Sequence, residues 1–132
     1  MDLSQINYLA VGVAALSSFL IGGLWYSPIL FAKAWMREAG MNEEELGKNV
    51  GRTFALAFAL SLVIAFNLAA FLGPDATWSW GMTAGVLAAV WVGGSMAITF
   101  AFERRSAMLT LIDTGYHLVA YAVMGGILGA WH

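Results

Sequence analysis

The sequence predicts an all-α integral membrane protein, a four-helix transmembrane bundle with a short interfacial helix between its first two spans. Three observations carry that prediction. Hydrophobic residues make up 61% of the chain and charged residues 11%, against about 25% charged in an ordinary soluble domain. Mean hydropathy is +0.77, an excess that a single core of 132 residues cannot hide. The apolar residues also collect into four runs, each near the roughly 20 residues that a membrane helix requires. Lipid is therefore the solvent for most of the chain, and residues 1–132 read as one transmembrane domain.

The first run, about 5–26, is QINYLAVGVAALSSFLIGGLWY. It is too long for the apolar region of a secretory signal and has no basic residue before it, so it reads as a retained span. The second covers about 52–72, the third about 78–102 and the fourth about 107–131. Backbone groups in hydrocarbon must be satisfied within the segment, which favours helices. Each run is also far longer than the ten or so residues of a barrel strand.

All six basic residues fall in two connections: Lys33, Arg37, Lys48 and Arg52 in one, Arg104 and Arg105 in the other. The positive-inside rule places loops 27–51 and 103–106 in the cytoplasm and both termini outside, in a cell (inner) membrane. Aromatic residues agree, with Tyr8, Trp78, Trp80 and Trp131 at the outer ends and Trp25, Tyr26 and Trp35 at the inner ones.

Between the first two spans, Ser27–Pro28 suits a helix start and Gly40 a helix stop. The segment, about 28–39, sets Phe31, Trp35 and Met36 against Lys33, Arg37 and Glu38, as in a helix lying in the interface. It is either a structural elbow or an element that gates or docks a partner. Asn42 with Glu45 three residues on resembles a capping box that leads toward the second span.

Small residues recur every fourth position in the third span, at Gly81, Gly85, Ala89, Gly93, Ala97 and Ala101. The first span has Ala10, Ala14, Ser18 and Gly22, the second Ala57, Ser61, Ala65 and Ala69, and the fourth ends with Gly125 and Gly129. Such stripes let membrane helices approach closely. They hold the four helices together, or they build subunit contacts in a homo-oligomer.

Ionisable side chains inside a span are costly and direct attention to function. Asp113 and His117 lie one turn apart on one face of the fourth span, a row that continues through Tyr121. Three readings follow. Asp113 pairs with loop arginines while His117 is hydrogen-bonded; or the two form a proton-coupled or ligand-binding pair, since histidine titrates near neutrality; or they contribute to a metal site, for which two ligands are too few without a symmetry mate. The choice turns on helix register. A span counted inward from Trp131 leaves Asp113 at the inner boundary, where it could also start the helix; one beginning at Ala107 takes it well inside. Asn67, Ser17, Ser18, Ser95 and Thr99 read as interhelical hydrogen bonds or secondary ligand contacts, and mid-span Trp91 as a packing or cavity-lining residue.

Other chemistries find no support. Without cysteine there is no disulfide framework and no thiolate site. A net charge of −2 gives no reason to expect nucleic acid. No phosphate loop, catalytic Ser-His-Asp spacing or pair of intramembrane carboxylates is present, so neither an enzyme nor a resident cofactor is expected.

Two segments, GGLWYSPILFAKAWM (22–36) and GYHLVAYAVMGGILGAW (115–131), resemble together the bacterial membrane proteins grouped as domain of unknown function 1761. The resemblance runs over essentially the whole chain. It implies a small four-span membrane protein and brings no activity and no functional residues. Two functions are thus expected on residues alone: an oligomeric carrier or channel for a small solute or ion with proton linkage, or a non-catalytic assembly or regulatory protein. Small drug exporters share the size, but the first span here lacks the embedded acid their mechanism uses.

Overall fold

The computed structural model describes residues 2–132, and among them all regular structure is helical. After a single 3-10 turn at Leu3–Gln5 come α1 (Tyr8–Trp25), α2 (Ala32–Ala39), α3 (Glu43–Gly47), α4 (Val50–Leu72), α5 (Trp78–Phe102) and α6 (Ala107–Ala130). Helices α1, α4, α5 and α6 are long and apolar enough to cross a membrane. At about 1.5 Å per residue they measure roughly 27–37 Å, against a hydrocarbon core of about 30 Å.

The starts of α1, α5 and α6 are built from side-chain caps, whereas α4 follows Asn49 without one. Asn7 accepts from the Ala10 N–H at 3.1 Å, Thr77 from Trp80 at 3.2 Å and Ser106 from Leu109 at 3.1 Å. Each satisfies an otherwise orphan donor, worth about 1 kcal/mol. The Ser106 cap sets the register of α6: Asp113 is not its first residue but its seventh, about 9 Å along the axis.

The connection between α1 and α4 departs from expectation at two points. Ser27–Pro28 does not start α2. The Ser27 hydroxyl turns back to the Leu24 carbonyl at 2.6 Å, and its own carbonyl accepts from the Leu30 and Ala32 amides. Its polar groups are thus spent closing α1, and residues 27–31 form turns before α2 begins at Ala32. Gly40 does stop α2, in the left-handed region at φ 71° that favours glycine. Asn42 caps α3 through the Glu45 N–H at 2.8 Å. That helix does not run on into the second span, because Asn49 at φ 54° separates α3 from α4.

Packing centres on α6. Its most extensive partner is α5, then α1, while α1 also packs along α4. Small residues explain both close pairs. In the antiparallel α5–α6 pair, a Cβ on Gly81 would collide with the Gly125 carbonyl, one on Gly85 with the Tyr121 carbonyl and one on Gly129 with the Thr77 carbonyl. The two backbones touch, which is what association without a hydrophobic drive requires. Toward the basic loops the pair loosens: Gly93 meets Thr114 at ordinary distance and Ala101 is exposed. Along α1, Ala10, Ala14 and Ser18 are buried, and Phe19 sets its edge against Phe54 and Phe58 of α4. In α4, Ala65 is buried while Ala57 is exposed, so only part of that ladder packs. The order around the bundle is α4, α1, α6, α5, and it does not close. Helices α4 and α5 hardly touch.

Candidate functional site

Two features share the Asp113–His117–Tyr121 face of α6: a polar junction where α1 ends, and a cleft where α4 and α5 part.

The junction is set by the length of α1. Only 18 residues long, α1 ends level with Ile112 and Asp113 of its antiparallel neighbour. There the Trp25 indole N–H donates to the Ile112 carbonyl at 2.9 Å, and the Tyr26 hydroxyl donates to Asp113 Oδ1 at 2.8 Å. Tyr116 reaches the other way, its hydroxyl donating to the Ser18 carbonyl at 2.9 Å. Two glycines make room. The Trp25 ring sits where a Cβ on Gly115 would lie at 3.1 Å, and the Tyr116 hydroxyl is 3.3 Å from a Cβ on Gly22. Tyr26 also packs edgewise on Tyr116 and Trp35, with ring centroids 5.6 and 5.9 Å apart.

The partner of Asp113 is therefore a phenol. Arg104 and Arg105 lie beyond the start of α6, Arg105 pairs with Glu103, and among the described residues no ion pair reaches Asp113. The expected pairing with loop arginines is thus corrected, because six further residues of α6 separate Asp113 from the loop. His117 departs from expectation too. It lies near the middle of α6, its ring 4.9 Å from Tyr116 and 6.1 Å from Tyr121, and makes no hydrogen bond among the described residues.

The cleft has a volume of about 500 Å³ and lies between Val63, Asn67 and Phe71 of α4 and Trp80, Ala84, Leu87, Ala88 and Trp91 of α5, with Tyr121 of α6 behind them. Its lining is mostly apolar and carries no charged side chain. Tyr121 is almost wholly buried at 8% exposure, whereas Trp91 is 72% exposed on the outer rim. Asn67 does not bridge helices: its Nδ2 donates to the Val63 carbonyl at 2.8 Å. Ser17 likewise bonds back within its own helix, to Ala14. Both use the carbonyl one turn back, which short polar side chains reach easily. Of the secondary polar candidates only Ser18 crosses helices, to Ser61 at 3.2 Å. Ser95 and Thr99 are exposed and form no side-chain hydrogen bond among the described residues.

Of the residues singled out by sequence, Asn67, Trp91 and Tyr121 thus meet in one cleft. Asp113 and His117 do not line it, but stand two turns and one turn from Tyr121 along the same row. Sequence reasoning missed Tyr26 and Trp80, treated only as interfacial aromatics, and Tyr116. One signal was present. The two segments that carry the family resemblance are those that touch at this junction, through Trp25 and Tyr26 on one side and Gly115 and Tyr116 on the other. Chemically, the junction pairs an acid with a phenol, and the cleft is a mostly apolar recess with a few polar groups.

A family model described as a protein of unknown function, DUF1761, matches residues 9–129. No curated protein and no solved structure matches the chain.

Proposed function

Because the chain belongs to the DUF1761 family, whose description assigns no activity, we propose its function from geometry: it is a small multi-pass membrane carrier that binds a small solute in the α4–α5 cleft. Asp113 and His117 are its proton-linked groups. The observation that supports this reading is the position of Tyr121. It lines the cleft and also ends the row that starts at Asp113, so the solute site and the ionisable groups share one helix face. A cleft of about 500 Å³, mostly apolar with a few polar groups, has the size and character of small-molecule sites. The basic loops face the cytoplasm and the termini face outward, as the distribution of lysine and arginine suggests.

The second reading, assembly, draws on the half of α4 nearest the basic loops, where Leu56 and Leu60 are exposed beside a partly unused small-residue ladder. In that reading a second copy packs there and the protein works as a homo-oligomer.

One experiment separates the two. The protein is isolated in discs of native membrane, and the bound small molecules are compared by mass spectrometry with those of Ala88→Trp, which fills the cleft. The carrier reading expects a molecule that is retained by the parent chain and lost from the variant. The same small-molecule complement in both, with crosslinking through α4, would instead favour assembly.

A further inference from the structure

The hydrogen-bonding character of the cleft is lopsided, and that defines a ligand class. Side-chain hydrogen bonds from tyrosine and tryptophan are made by Tyr8, Trp25, Tyr26 and Tyr116. The Tyr121 hydroxyl and the Trp80 and Trp91 indole N–H groups, all on cleft-lining residues, have no partner among the described residues. Asn67 has spent one amide hydrogen on the Val63 carbonyl and keeps its other N–H as a donor and its Oδ1 as the cleft's one amide acceptor. An indole can only donate, so the cleft offers mainly donors: Trp80 at its outer end, Trp91 on its exposed rim and Tyr121 buried at its back, the last at a depth where lipid supplies no acceptor. An unpaired donor in hydrocarbon is costly, and a ligand that accepts from it recovers that cost.

Charge narrows the class further. No charged residue lines the cleft, and all six lysines and arginines lie at the opposite end of α4 and α5 or in the connections there. A phosphate or carboxylate headgroup would enter without a counter-ion, so an anionic lipid is a poor fit. Shape points the same way. Trp80, Trp91 and Phe71 supply flat aromatic faces. The eleven residue steps from Trp80 to Trp91 span about 17 Å, enough for a ring and a short tail lying along the helices.

We propose that the α4–α5 cleft binds a neutral, planar, lipid-soluble carbonyl compound of the quinone type, which enters sideways from the bilayer and places carbonyl oxygen against the Tyr121 hydroxyl and a cleft indole. This rests on the reading of the cleft as a solute site, and it names the chemistry of the solute.

The test uses the full chain labelled with 5-fluorotryptophan in neutral phosphatidylcholine nanodiscs, followed by fluorine NMR. Trp80→Phe and Trp91→Phe assign the two cleft signals. Decylubiquinone should shift those two signals saturably and leave the Trp25 signal in place, which also reports that the fold is intact. Tyr121→Phe keeps the ring and removes the donor, and should weaken binding about fivefold to tenfold. Decylbenzene, with ring and tail but no carbonyl, should bind at least as weakly as that, and decanoate should not bind. If decylbenzene binds as tightly as the quinone and Tyr121→Phe changes nothing, the carbonyl assignment is overturned while the cleft remains a ligand site. If none of the three shifts the cleft signals saturably, the solute-site reading falls with it.

Discussion

The Tyr26 hydroxyl donates to Asp113 Oδ1 at 2.8 Å, tying the last turn of α1 to a residue 87 positions away in α6. The bond lies beside the Trp25–Ile112 bond, so the end of the first span is fastened at two adjacent points. A carboxylate at this level is tolerated because it is hydrogen-bonded and sits where α1 gives way to the interfacial segment.

That pairing predicts coupling. Tyr26→Phe and Asp113→Asn should each lower stability, and the double variant should lose less than the sum. The expected interaction is about 0.5–2 kcal/mol, the range for side-chain hydrogen bonds in membrane proteins and for residues in contact. Unfolding titrations in mixed detergent measure it. Strict additivity would show that the two groups do not depend on one another.

The α5–α6 contact predicts a contrast among glycines of one helix. Gly81→Ala drives a methyl into the Gly125 carbonyl and Gly85→Ala into that of Tyr121. Each should cost about 1–3 kcal/mol or more, as overpacking does. Gly94→Ala points into open space and should be neutral or slightly stabilising, since alanine suits helices better. The same unfolding titration applies, and equal losses at all three positions would contradict the close approach.

Proton linkage predicts a transport phenotype. In vesicles loaded with a pH-reporting dye, an imposed pH gradient should drive protein-dependent proton flux. His117→Ala and Asp113→Asn should each reduce it at least tenfold, because these are the ionisable groups on the row that leads to the cleft. Unchanged flux in both variants removes the pair from the mechanism.

Topology can be read with single reporters, since the native chain has no cysteine. Asp75→Cys, between α4 and α5, should react with a membrane-impermeant maleimide in intact cells. Glu44→Cys, in α3, should react only after the membrane is opened. The reverse pattern would invert the orientation that the basic residues predict.

The four spans, the Gly40 stop and the Asn42 cap were legible in the sequence because each depends on local properties: run length, hydropathy and the reach of a side chain over three residues. The small-residue ladders were legible for the same reason, and sequence determined that lipid is the main solvent, since no core of this size could bury so many apolar residues. Tertiary structure decided the rest. Which ladders meet depended on α5 and α6 both carrying glycine at the crossing, so that Gly81 and Gly125 bring backbone against backbone. The fate of Ser27 depended on the Leu24 carbonyl lying within reach of its hydroxyl where α1 ends. The partner of Asp113 depended on the shorter α1 stopping level with it, which set a phenol rather than an arginine beside the carboxylate. The cleft lies where α4, packed mainly on α1, and α5, packed mainly on α6, hardly touch one another. Such outcomes are absent from any single run of residues: they follow from how helices of unequal length and unequal small-residue content share a common neighbour.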